Sequence, residues 1–205
     1  MTENKFHWYD GWFFDVVIAP HQDKLFGQIK NLVDQGSRVI DIGCGTGRLE
    51  FALAGKCQSV LGIDLSKKNI DRAHLRLHLN PNEKISFLHN NVKEITAKGQ
   101  SHFDYAILTY VIHEVDEEER IILLNEIALI ADKIIIGDYL VPKPKGLAGF
   151  LSEVIEFIAG SEHFRNYKSY MANGGIHHLA NEAGLRIIQE TSDGPSSNHI
   201  VVLAK

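Results

Sequence analysis

Short apolar runs of strand length alternate along this chain with segments whose apolar residues recur every three or four positions, and few residues separate them. Within residues 21–35, Leu25, Ile29, Leu32 and Val33 share one helical face, closed by Gly36. Arg38–Ile42 predicts a buried strand and Arg48–Ala54 the helix that follows it. Ser59–Asp64 predicts a second strand, with Ser66 as N-cap of a helix to about Leu79. Asn80, Pro81 and Asn82 form a turn. Lys84–His89 and Phe103–Thr109 predict strands three and four. Asp116, with Glu119 three residues on, has capping-box spacing and opens a helix to about Ile130. Lys133–Asp138 predicts strand five. Such alternation specifies an α/β fold, a parallel sheet covered by helices.

The alternation breaks after Asp138. Pro142 and Pro144 flank a stiff turn, and residues 145–173 intervene before a helix at Gly175–Ala183. Inside that segment Leu147, Phe150, Leu151, Val154, Phe157 and Ile158 form an apolar stripe expected to face the core. Leu185–Thr191 and His199–Leu203 predict two last strands joined by SDGPSSN, too short for a crossover helix, so they run antiparallel. The expected organisation is one domain over residues 1–205, with 1–20 a cover segment and 145–173 an inserted lid that carries the acceptor site.

Composition changes this picture little. The 205 residues suit one full core, and 44% hydrophobic with 23% charged residues is ordinary for a globular domain. The net charge is −5 and no Lys/Arg-rich run occurs, which disfavours nucleic acid as partner. Two cysteines, Cys44 and Cys57, make no disulfide framework and fit a reducing compartment. No signal-peptide pattern opens the chain and no apolar run nears the length of a membrane span. The expectation is a cytoplasmic, soluble protein; the oligomeric state is not legible.

The chemistry concentrates in Val39–Gly47, VIDIGCGTG, an apolar run into an acid and then glycines at alternate positions. Gly43, Gly45 and Gly47 let the backbone turn sharply and approach a ligand closely. A dinucleotide fingerprint needs G-x-G-x-x-G, but here Arg48 holds the third glycine's place and the glycine comes one residue early. Asp41, just before the first glycine, suits a ligand with positive charge near the turn. This stretch resembles motif I of the class I S-adenosylmethionine (SAM)-dependent methyltransferases. From Tyr9 to Asp138 the chain is similar to their small-molecule branch, which includes quinone-biosynthesis methyltransferases; the last third matches only in strand pattern.

The resemblance implies a Rossmann-like sheet in the order 3-2-1-4-5-7-6 with the last strand antiparallel, and SAM as cofactor with S-adenosylhomocysteine (SAH) as product. It implies a cofactor site of Asp41, Gly43, Cys44, Gly45 and Gly47 at the turn, with Asp64 on the ribose hydroxyls. Leu65, Asn91 and Val92 fall at the adenine, Thr109 at the end of strand four, and Tyr9 in the cover. Simpler readings stand beside these: Asp41 satisfied by turn amides, Asp64 as part of a helix start, Asn91 as a turn residue. The Asn/Asp-Pro-Pro-Tyr/Phe segment of enzymes that methylate base or glutamine amides is missing at Thr109–Ile112, which points to a small-molecule acceptor.

Methyl transfer from a sulfonium is an in-line displacement in which orientation supplies on the order of 7–11 kcal/mol. A base is required only for a protonated acceptor. Candidate catalytic residues at the same end of the sheet are Tyr110, His113 and Tyr139, with Asp138 beside them. Candidate acceptor contacts are Trp12, His163, Tyr167 and His177. No metal is expected: His113-Glu114 lacks the rest of HExxH, and His177 and His178 point about 100° apart on a helix. Three other readings share parts of the pattern: a SAM-binding protein without catalysis, a NAD-dependent oxidoreductase and an RNA methylase.

Overall fold

A computed structural model describes residues 23–97, 102–143, 153, 156–157, 160–192 and 198–205. The elements are α1 (Asp23–Leu32), β1 (Arg38–Ile42), α2 (Arg48–Leu53), β2 (Ser59–Asp64), α3 (Lys67–Leu79), β3 (Ile85–His89), α4 (Val92–Ala97), β4 (Phe103–Thr109), α5 (Glu117–Ile130), β5 (Ala131–Tyr139), α6 (Ser161–Ala172), α7 (Gly175–Glu182), β6 (Arg186–Ser192) and β7 (Asn198–Ala204). The seven strands form one sheet in the order β3-β2-β1-β4-β5-β7-β6. β1 to β5 pair in parallel and β7 runs antiparallel to both β5 and β6. The expected topology is met.

Burial explains the strand composition. The central strands β1 and β4 are covered on both faces and therefore read as mostly apolar runs, broken by Asp41 and Asp104. Val39, Leu49, Leu53, Val60, Ile107 and Ile135 pack with α1 on one side. Ile40, Ile63, Leu108, Leu124, Ile134 and Ile136 pack with α5, α6 and α7 on the other. β6, at the edge, exposes all seven of its residues. Its register shifts between Ile187 and Gln189, a bulge that blunts an edge strand against pairing with another chain.

Ser66 caps α3 as expected, accepting from the Asn69 amide at 3.4 Å. Asp116 is the N-cap of α5, but its side chain makes no cap bond and instead accepts from Asn166 Nδ2 at 2.9 Å. The capping-box expectation fails there because α6 offers a better-placed donor. Much of the expected inserted segment is helix: α6 buries Tyr167 and Tyr170 in the core. The stripe expectation is reversed at Phe157, which is 67% exposed, while neighbouring Glu156 is buried. The rest of that stripe lies outside the described residues.

Candidate functional site

β1 ends at the C-terminal edge of the sheet, where the chain turns through Gly43, Gly45 and Gly47, all at positive φ. Two of these glycines are required by close approach as well. A side chain at Gly43 would strike Val111, and one at Gly47 would lie 2.5 Å from the Phe87 ring. The turn is tied to the next strand: Gly43 N and Cys44 N donate to Ile63 O at 2.8 and 3.0 Å. Asp64, ending β2, accepts from Gly45 N at 2.8 Å and Ser66 N at 2.7 Å. Its carboxylate is thus oriented by the amides of the turn and of the next helix start. Asp41, Gly43, Cys44, Gly45, Arg48 and Thr109 line one cleft at this edge.

The remaining expected cofactor contacts are arranged as follows. Gly47 packs on Phe87 beneath the turn. The Leu65 carbonyl lies 2.9 Å from His89 Nε2. Asn91 Oδ1 accepts from Glu94 N at 2.9 Å, so this side chain caps the first turn of α4. Val92 is buried in the core. Tyr9 and Trp12, with all of residues 1–20, lie outside the described residues.

Beside the cleft, Asp41 and Glu50 form a buried carboxyl pair that motif spacing did not flag. A signal existed, since Glu50 lies between Leu49 and Leu53 on the buried face of α2. Burial raises the Asp41 pKa to about 7; a proton on Glu50 facing it works against the rise, and the Asp64 charge adds to it. Burial and the Asp41 charge hold Glu50 well above the usual carboxyl range.

A second group lies past the ends of β4 and β5. Tyr110 leaves β4 with φ 57, an uncommon conformation for a residue with a side chain. Its hydroxyl accepts from Asn198 Nδ2. His113 Nδ1 stands 2.7 Å from Asp138 Oδ1, and Nε2 is 3.5 Å from Glu156 Oε1. Tyr139 donates its hydroxyl to that same Glu156 oxygen at 2.7 Å, and its ring lies 4.9 Å from the His113 ring. Tyr167 and Tyr170 close the group from α6. Burial opposes charge on His113, but the Asp138 and Glu156 carboxylates outweigh it and lift its pKa well above the usual value. Burial pushes the Tyr139 hydroxyl up, and the Glu156 charge adds to that. For Glu156 burial works upward, yet the His113 charge prevails and holds it below its usual range.

Arg120 supports this group from α5. Its guanidinium donates to Val115 O, Asn166 O, His113 O and Ser169 Oγ, and it is 1% exposed. Among the acceptor candidates, His163 Nδ1 lies 3.6 Å from Glu114 Oε1 and Tyr167 touches His113. His177 is placed elsewhere: it is exposed, pairs with Glu190 at 3.0 Å and faces the His199 ring. The arrangement opens a cleft over the glycine turn and, past the ends of β4 and β5, keeps an imidazolium between two carboxylates.

Residues 39–132 match the family described as a methyltransferase domain. A ubiquinone biosynthesis O-methyltransferase of Aromatoleum aromaticum is 36% identical over 83 residues, 40% of this chain and 35% of that protein. An uncharacterised RNA methyltransferase of Mycoplasma mobile is 24% identical over 84 residues, 41% of this chain and 23% of its own length. The matches thus span about a third or less of these curated relatives. In fold, the chain is similar to the magnesium protoporphyrin IX methyltransferase of Synechocystis PCC 6803 with bound SAH, at TM-score 0.63 and 20% identity over 91% of this chain and 82% of that one.

Proposed function

Because the chain belongs to the class I S-adenosylmethionine-dependent methyltransferases, we propose that it moves a methyl group from SAM to a small organic acceptor. The observation that carries this reading is the join between the glycine turn and Asp64, whose carboxylate is fixed by the Gly45 and Ser66 amides at the end of the neighbouring strand. The residues present fit the cofactor. Positions 43 and 47 exclude a side chain, and apart from Glu50 buried Asp41 Oδ1 has no hydrogen-bond partner among the described residues.

SAM, when bound, supplies a sulfonium-activated methyl group. Asp64 would hold the ribose hydroxyls with its carboxylate, and Asp41 would face the ammonium end. Thr109 and the Gly43–Gly45 backbone line the same cleft. On the acceptor side, His113 keeps its proton at neutral pH because Asp138 and Glu156 flank it, so it orients and polarises rather than accepts a proton. Tyr139 and Tyr167 shield that group from water. The absence of the Pro-Pro segment after β4 and the net charge of −5 support a small acceptor over RNA.

A methyl-release assay with labelled SAM tests this reading across phenols, amines, thiols, carboxylates and a structured RNA. Turnover of one small-molecule class is the expected result. Turnover of RNA alone would replace the acceptor, and SAM binding with no turnover on any class would favour a binding protein without catalysis.

A further inference from the structure

Glu50 lies in the middle of α2 with its carboxyl over Gly62 of β2, where a side chain would collide with Oε1 and with the Phe87 ring. Gly62 is the register partner of Asp41 on β1, so the bare Cα of one strand opens room beside the acid of the next. Asp41 is 1% exposed and Glu50 fully buried. Apart from each other, Asp41 Oδ1 and both Glu50 oxygens have no hydrogen-bond partner among the described residues. Two adjacent carboxylates in so dry a place cannot both be ionised cheaply, and a proton held by the pair removes one charge. Asp41 also lines the glycine-turn cleft, which gives the pair an outlet to a ligand.

We propose that in the free protein Glu50 keeps a proton that faces Asp41 while Asp41 carries one of its own, and that Asp41 releases its proton to solvent when a cationic ammonium group enters the glycine-turn cleft. This rests on the cofactor reading above, the ammonium being that of the amino-acid end. Glu50 is then a positioning residue that acts through Asp41. On release the carboxyl O–H bond breaks and the proton passes to buffer. A hydrogen bond from the ligand N–H to the Asp41 carboxylate takes its place.

The groups facing the pair are consistent with this. Asp64 from β2 adds negative charge, and Cys44 in the turn is pushed up by burial and by the three acids, so it stays a neutral thiol. Arg48 of α2 is engaged by Asp23. β4 presents Ile107 and Thr109, and α1 presents Phe26, none of them charged. With Asp41 titrating at about 7, Glu50 holds its proton throughout the neutral range.

The test is calorimetry of SAH binding to the whole protein at pH 6 and pH 7, in two buffers of different ionisation enthalpy. The ligand amine stays mostly protonated in that range. Wild type should release about 0.9 proton at pH 6 and about 0.5 at pH 7, with affinity rising about fivefold between them. Glu50→Gln keeps a donor toward Asp41 and leaves its burial unchanged, so release should stay near that of wild type, whereas Glu50→Leu removes the donor that works against the rise and should lift release at pH 7 above about 0.5. In the unliganded protein, side-chain carboxyl 13C NMR should show a group titrating near pH 7 that moves up in Glu50→Leu. Binding without proton release at pH 6, or no such titration, overturns the proton pair. Failure of SAH to bind wild type at either pH, with the NMR titration present, overturns the cofactor reading and the ligand linkage with it.

Discussion

His113 Nδ1 and Asp138 Oδ1 stand 2.7 Å apart with both side chains closed to solvent, joining the loop after β4 to the end of β5. Asp138 also accepts from the amides of His113 and Tyr139, so its carboxylate is held by three donors.

Removing one partner of this pair strands the other charge. Asp138→Asn should cost about 3–5 kcal/mol of folding stability by urea denaturation at pH 7. The elevated His113 pKa also sets a pH trend. Its contribution is complete below the unfolded value near 6.5 and is lost as pH rises through the higher folded value. Denaturation at pH 6 and pH 9 should therefore show a decline in wild type that His113→Asn reduces.

The buried acids give a trend at lower pH. Asp41 and Glu50 have folded pKa values above their unfolded ones. Their protonated forms stabilise the free protein fully below about pH 4, and that benefit is lost as pH rises through the folded values. Glu50→Gln should flatten the loss between pH 5 and pH 8, measured by urea denaturation without ligand.

Gly62→Ala should destabilise by about 1–3 kcal/mol, since the added methyl meets both Glu50 and Phe87. In a double-mutant cycle, Glu50→Ala should recover part of that loss. Strict additivity of the two substitutions would show that Glu50 does not lie over Gly62.

Arg120 donates to three carbonyls and a hydroxyl with one planar group. Arg120→Lys cannot reproduce that fork and should lower stability nearly as much as Arg120→Met. A lysine variant with wild-type melting temperature would contradict this.

Strand ends and turns were legible because VIDIG and SVLGID carry both their burial and their stop signals locally. The hairpin direction followed from loop length alone. Side chains whose place depends on distant partners were not legible. Glu156 turns inward because Tyr139 and His113 from other elements receive it, and Phe157 is left outside against Phe164. Asp116 gives up its cap for Asn166, 50 residues on. Arg120 and Glu50 occupy the buried faces that Leu124 with Ile127 and Leu49 with Leu53 define, yet their charge marks them as surface residues. Asn91 matches the expected adenine position in sequence, and its carbonyl serves the helix.

Asp64 is the anchor on which the cofactor reading depends. Asp64→Asn, which keeps one acceptor oxygen for the turn, should weaken SAH binding by roughly 1.5–3 kcal/mol, about 10- to 150-fold. The most direct measurement is titration calorimetry of wild type and Asp64→Asn with SAH, and of wild type with NADH. Saturable SAH binding that the substitution weakens, with no NADH binding, is the predicted result. NADH binding without SAH binding, or an affinity for SAH indifferent to Asp64, would contradict it.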